Sequence, residues 1–248
     1  MTARRRAAAA ALALGLAALY VILMLTAVHM VGTDAGLYYR EQMKAGILAF
    51  SGLTDEGLRA LDGRMADYLR GNAAALEADP PFNEREMTHM ADCLRLFDRL
   101  RAVRARLIPW AIVLILGGAW VLRDRRTARL CAWLSPLLVL VPLGAFSLYA
   151  ALHFDAAFTL FHEILFTNDL WLLDPATDLL IRVCPEAMFM NMGIRIAAYS
   201  LISILAVSAI ATLLTFVWPR GKGENPWKTT TRRGPAPRRY DFGSRGTR

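Results

Sequence analysis

Four stretches of nearly unbroken apolar sequence alternate with stretches that mix polar and apolar residues at helical spacing. The apolar runs cover residues 7–31, 107–122, 130–152 and 196–218. Each is close to the ~20 residues that an α-helix needs to cross ~30 Å of hydrocarbon. The run at 7–31 follows Arg4-Arg5-Arg6 as a signal peptide would, but it is longer than a typical h-region and lacks a clear small-x-small cleavage site. It therefore reads as a span.

The mixed stretch between the first two runs predicts helices. Residues 36–50 read as helical until Ser51-Gly52 breaks them. Thr54 then caps an amphipathic helix whose apolar side is Leu58, Leu61, Met65, Tyr68 and Leu69, ended at Gly71-Asn72. After Asp79-Pro80-Pro81, Asn83 and Glu86 have capping-box spacing, and Phe82 and Met87 take the hydrophobic-staple positions. The helix they open carries His89 and continues through Leu96, Leu100 and Val103 into the second run. Left straight, it would hold His89 about 25 Å above the membrane. The pattern therefore predicts a helix lying on the bilayer and bending near Pro109. Pro136 and Pro142 predict a kinked third span. Arg195, just before the fourth, is placed to snorkel to the interface. Pro219 ends that span, and the Pro/Gly/Arg-rich remainder reads as a disordered basic tail.

Residues 153–192 are too polar to cross a bilayer and too apolar for an ordinary loop. Phe154, Phe158, Phe161 and Leu165 share one helix face, with His162 and Glu163 beside it. Asn168, Asp169 and Trp171 supply a turn and an interfacial aromatic. Asp174-Pro175 reads as an N-cap with proline at the first helical position, and Cys184-Pro185-Glu186 restarts the chain in the same way. The stretch predicts short helices lying in or dipping into the membrane surface.

With 56% hydrophobic residues, the composition fits an all-α integral membrane protein: four transmembrane helices capped by an extracytoplasmic helical domain and interfacial or re-entrant helices. The arginines at 4–6, those at 123–129 and the basic tail fall on one side of a four-span chain, so both termini read as cytoplasmic. The segments are then 1–31 (N-terminus and first span), 32–106 (outer helical cap), 107–152 (two spans joined by a short basic loop), 153–193 (outer interfacial helices), 194–218 (fourth span) and 219–248 (tail). The net charge of +8 is mostly topology and tail, and does not point to nucleic acid. Cys93 and Cys184 both fall on outward segments, but three sparse cysteines do not read as a disulfide framework.

Of the four histidines, His29 and His153 sit at span ends and read as interfacial. His89 and His162 lie on outward segments with carboxylates at helical spacing, where polar groups near membrane depth are costly and often functional. Glu86, His89, Asp92, His162 and Glu163 include metal-ligating types, yet there is no HExxH, paired HxH or cysteine cluster, so no metal site is assigned. Ser51 lacks a nucleophile-elbow context.

Phe161-His162-Glu163, Phe166, Asn168-Asp169-Leu170-Trp171, Asp174-Pro175, Thr177-Asp178-Leu179-Leu180-Ile181 and Pro185-Glu186 resemble a family of four-span bacterial membrane proteins that includes the lipoprotein intramolecular transacylase. Tyr68-Leu69-Arg70-Gly71 and the block from Glu86 to Asp92 resemble its other motifs. The resemblance implies a diacylglyceryl-modified bacterial lipoprotein as substrate, in the cell (cytoplasmic) membrane among phospholipid. One acyl chain moves from the glyceryl sn-2 oxygen to the cysteine α-amine, giving the lyso-form. It also implies His89 and His162 as the catalytic pair. The chemistry needs no cofactor, because donor and acceptor belong to one molecule. Arg85, Asn168 and Trp171 are candidate substrate-positioning groups. A metal-assisted membrane hydrolase and a non-catalytic scaffold stay open beside this reading, as does the oligomeric state.

Overall fold

A computed structural model describes residues 2–77 and 81–217; the tail expected to be disordered lies outside the described residues. The described residues contain helices and turns. Helix α1 (Ala3–Gly32) is followed by α2 (Ala35–Lys44), α3 (Leu48–Ser51) and α4 (Asp55–Arg70). Next come α5 (Glu84–Leu122), α6 (Arg125–Leu134), α7 (Leu137–Leu152), α8 (Phe154–Leu165), α9 (Leu179–Val183) and α10 (Glu186–Val217). Four segments are long and apolar enough to cross a membrane: α1, α5, α6 with α7, and α10.

Many boundaries follow the local chemistry of the sequence. The Thr54 hydroxyl accepts from Gly57 N at 3.1 Å to start α4, and Gly71, at φ 80°, ends it in the left-handed region. At α5 both arms of the capping box form: Asn83 Oδ1 accepts from Glu86 N (3.0 Å), and Glu86 Oε2 accepts from Asn83 N (2.7 Å). Pro136 divides the third span into α6 and α7.

Three expectations are corrected. First, α5 does not fold over at Pro109. It is one 39-residue helix packed antiparallel along α1. Leu12 faces Gly118, Gly15 faces Ile115 and Gly32 faces the Phe97 ring, so the register slips by a single residue across Pro109. A continuous partner on both sides of the proline holds the halves in line. Second, Asp174-Pro175 starts a turn rather than a helix. Asp174 Oδ1 accepts from Ala176 N (2.9 Å), and α9 begins only at Leu179, because the carboxylate caps the turn locally instead. Third, Arg195 lies within α10 and pairs with the buried Glu41 carboxylate at 3.6 Å rather than reaching freely to the interface.

Two cores result. The membrane core joins α1, α5, α6, α7 and α10 through residues such as Leu12, Leu16, Tyr20, Leu122 and Ile204. The second core forms the cap. Leu58, Leu61, Met65 and Leu69 of α4 bury against Tyr38, Ile47, Leu179, Leu180 and Val183. Inside it, Gln42 Nε2 donates to Asp62 Oδ1 and to Val183 O, both at 2.9 Å, tying α2, α4 and α9 together.

Asp62 Oδ2 and Gln42 Oε1 have no partner there, and burial pushes the Asp62 carboxyl up to about 7. The folded chain thus holds this proton more tightly than the unfolded chain, whose aspartate titrates near 3.9. Stability contributed by the protonated form is lost as pH rises from about 4 through 7. Asp62→Asn supplies a neutral amide that can donate to Gln42 Oε1. It is expected to raise the melting temperature at pH 8 by more than at pH 5, and equal shifts at the two pH values would contradict this.

Candidate active site

The N-terminal end of α5 and the C-terminal end of α8 bring His89 and His162 together, with ring centroids 6.3 Å apart and planes inclined at 35°. Both are buried, each with 8% of its surface exposed. The helix pattern explains the placement. His89 lies on the first turns of α5, eight residues before Phe97 and about 12 Å beyond the C-terminal end of α1 at 1.5 Å per residue. His162 sits in the last turn of α8, beside the aromatic face predicted for that helix and packed on its Phe158.

Aromatic rings surround the pair. Phe158 lies 4.1 Å from His162 and Trp171 stacks on it at 4.8 Å. Phe166 contacts both histidines, at 5.2 Å from His89 and 5.7 Å from His162. This apolar lining strips water from both imidazoles and lowers their proton affinity. Burial, with the charge of His162 as a smaller contribution, pushes His89 down to about 4, against a weaker upward pull from Asp92. Burial also lowers His162, partly offset by its bond to the Phe158 carbonyl. Both rings are therefore neutral near pH 7.

Hydrogen bonding distinguishes the nitrogens. His162 Nδ1 donates to the Phe158 carbonyl at 2.7 Å, which leaves the lone pair on Nε2. His89 Nε2 lies 3.6 Å from Cys93 Sγ, while His89 Nδ1 is buried without a partner. A thiol donating to Nε2 puts the His89 proton on Nδ1. The arrangement thus offers a basic nitrogen on one ring and an unused donor on the other. Cys93 and Cys184 are both free thiols, each raised by burial, Cys93 to about 12.

The other predicted residues divide by role. Trp171 lines the pair directly. Asn168 and Arg85 brace it: Asn168 Nδ2 donates to Asp92 Oδ2 (2.9 Å), and Arg85 Nη2 donates to the Asp169 carbonyl oxygen (2.5 Å). Glu86 does more than cap. Its Oε1 accepts from Leu180 N at 2.5 Å, and Asn83 Nδ2 donates to Asp178 Oδ1 at 2.7 Å, so the α5 cap is stitched to the segment before α9. Glu163 does not join the histidines; among the described residues, no group of three or more His, Cys, Asp or Glu side chains is gathered as a metal would require. Sequence reasoning missed Cys93 as the neighbour of His89, although the i, i+4 spacing was there to be read. It also missed Phe158 and Phe166 as the walls of the site.

A family model described as lipoprotein intramolecular transacylase Lit matches residues 13–189, which include both histidines and most of the membrane helices. The chain belongs to the lipoprotein intramolecular transacylase family. Its fold is also that of a transacylase of known structure, the membrane-integral Lit of Bacillus cereus. That structure is 22% identical, with a TM-score of 0.67, and the match covers 86% of this chain and 95% of the other. A structure of the Bacillus cereus transacylase with one histidine replaced by arginine matches with a TM-score of 0.63 at the same identity, over 86% of this chain and 91% of that one. Comparison with curated proteins finds no match. This transacylase-family chain is accordingly a multi-pass membrane acyltransferase that acts on lipoproteins.

Proposed function

We propose that His89 and His162 act as one catalytic unit in moving the sn-2 acyl chain of a diacylglyceryl-cysteine to the cysteine α-amine, giving a lyso-form lipoprotein. The observation that carries this reading is the buried meeting of the two rings, one with a free basic nitrogen and one with a free donor. The neutral α-amine attacks the sn-2 ester carbonyl. His162 Nε2 takes the proton that the amine gives up as the N–C bond forms. His89 Nδ1–H donates to the oxygen that becomes negative in the tetrahedral intermediate. Collapse breaks the C–O bond, and the imidazolium of His162 returns its proton to the departing glyceryl oxygen. Atoms and protons balance within one substrate, and the aromatic walls keep competing water out. Trp171 and Phe166 are placed to hold the glyceryl head against the rings. The test is mass spectrometry of a reporter lipoprotein's N-terminus, which distinguishes N-acyl, monoacylglyceryl cysteine from the diacyl, free-amine form.

The pH dependence follows from the burial of the histidines. The base must be neutral, and both rings are held below the ordinary histidine range of about 6.5. The titration that limits the rate on the acid side is then that of the substrate amine, with an ordinary pKa of about 7.7–8.0. Turnover should rise with pH through that range. An acid limb at 6.5 that moved with histidine substitution, rather than with the amine, would contradict the assignment.

The reading puts the dyad on the outer face, with both termini in the cytoplasm. In a background without native cysteines, Glu77→Cys in the cap should react with an impermeant thiol reagent added to intact cells, and Arg123→Cys should not. The reverse labelling pattern would invert the topology and move the site to the wrong compartment.

A further inference from the structure

We infer that the exposed arginines of α5 below the dyad, Arg99 and Arg106, form a binding site for the phosphate of an anionic glycerophospholipid. The face is a continuous stripe. Asp92, Arg95, Arg99, Val103, Arg106 and Trp110 follow one another at steps of three or four, and therefore lie in line along the helix. From Arg95 to Trp110 the stripe is exposed, Val103 by 43% and Trp110 by 65%. The helices that pack closely on α5 are α1, α4 and α6, which leaves this side uncovered.

Two observations identify the occupant. The first is charge. Arg95 pairs with Asp92 and Arg101 with Asp98, but Arg99 and Arg106 have no carboxylate partner among the described residues. Arginine gathers beside the first, second and third spans at the ends read as cytoplasmic, and two arginines without a carboxylate at the opposite end of α5 call for a counter-charge. The second is depth. Counting ~20 residues for ~30 Å of hydrocarbon from the arginines at the start of α1 places the far boundary near residue 26 of that helix. The α1–α5 register sets this level opposite about residue 104 of α5, between the two arginines. Arg99 and Arg106 are seven residues apart, about 10 Å along the axis, so they straddle the boundary from above and below. Their flexible side chains can converge on a headgroup phosphate at that level, where guanidinium offers paired donors to its oxygens. Val103 lies between them, and the Trp110 ring lies beneath as an interfacial apolar surface for the upper acyl chain. The depth favours a lipid phosphate over an acidic polypeptide segment, which would meet arginines above the headgroups. The stripe ends above this site, where Asp92 accepts from Asn168 one turn from His89.

This inference does not depend on the histidine chemistry, because lipid retention is read without turnover. The full-length protein is exchanged into nanodiscs of mixed phosphatidylglycerol and phosphatidylcholine, then released, and retained lipids are counted by native mass spectrometry. The parent protein is expected to retain phosphatidylglycerol about tenfold in preference. Arg99→Gln/Arg106→Gln should lose most of that preference. Val103→Glu, which sets a carboxylate between the guanidiniums, should lose it without removing either arginine. Arg40→Gln/Arg59→Gln, with the same change in net charge on α2 and α4, should keep it. Melting temperatures confirm that each variant is folded. Undiminished preference in the Arg99/Arg106 variant or in Val103→Glu overturns the inference, as does equal loss in the Arg40/Arg59 control. Activity that depends on acidic residues of the reporter lipoprotein, with lipid retention unchanged by these variants, would assign the stripe to polypeptide and also overturn it.

Discussion

His162→Ala is expected to abolish lyso-form production while leaving the protein folded, and His89→Ala to do the same. A positioned general base contributes about 10²- to 10⁴-fold, and an oxyanion donor in a dry site contributes on a similar scale. Conversion of a reporter lipoprotein should therefore fall by at least about 100-fold in either variant. The two side chains act on one intermediate, so the double variant should be little worse than either single one. His162→Gln should also fail, because an amide at this position has no nitrogen lone pair to take a proton. His29 and His153 supply the controls. His29 contacts Phe97 and His153 contacts Tyr149, and neither ring is part of the dyad. Their alanine variants should retain much of the activity. Substantial conversion by a folded His89 or His162 single variant would remove the dyad and favour the scaffold reading of those side chains.

The largest effect on folding is expected at Gly118. A methyl group added there would lie 2.6 Å from Leu12 N and 2.9 Å from Ala8 O, both backbone atoms that no rotamer change can move. Gly15, across the same contact, would place a methyl 2.8 Å from Ile115 N. Helices that meet this closely gain their association energy from backbone proximity, since lipid gives apolar side chains little reason to prefer protein. Gly118→Leu must push α1 and α5 apart along the register that aligns α5. The cost should exceed the roughly 1–3 kcal/mol typical of overpacked cores. The expected result is loss of most folded protein from the membrane, read as abundance and as the melting temperature of what remains. Gly117, with open space at its added methyl, is the neighbouring control, and Gly117→Ala should be tolerated. A normal yield of Gly118→Leu would mean that α1 and α5 do not pack as described.

Local chemistry was enough to read much of this protein from its sequence. Four apolar runs of spanning length require helices, because backbone groups in hydrocarbon must bond within their own segment. The Thr54 cap, the Asn83/Glu86 box and Gly71 act over a few residues, and each did what its spacing indicated. The apolar face of α4 was likewise visible, since burial of Leu58, Leu61, Met65 and Leu69 follows from helical period alone. His89 and His162 could be singled out, with the family motif blocks marking them as a pair.

Tertiary packing decided the rest. Periodicity gives a helix its faces but not its direction in space, so only the antiparallel contact with α1 could show that α5 passes straight through Pro109. Pattern likewise treats a carboxylate as free. Glu41 waits for Arg195 and Asn191 from 150 residues away, and Glu86 waits for the backbone of Leu180. The partners of Asn168 and Arg85 were hidden for the same reason, because Asp92 and Asp169 lie on the opposite segment. The state of the two histidines is the last such property. An isolated imidazole titrates near 6.5, and it takes Phe158, Phe166 and Trp171, with Phe166 brought against His89 from another stretch of chain, to remove the water that would keep it so.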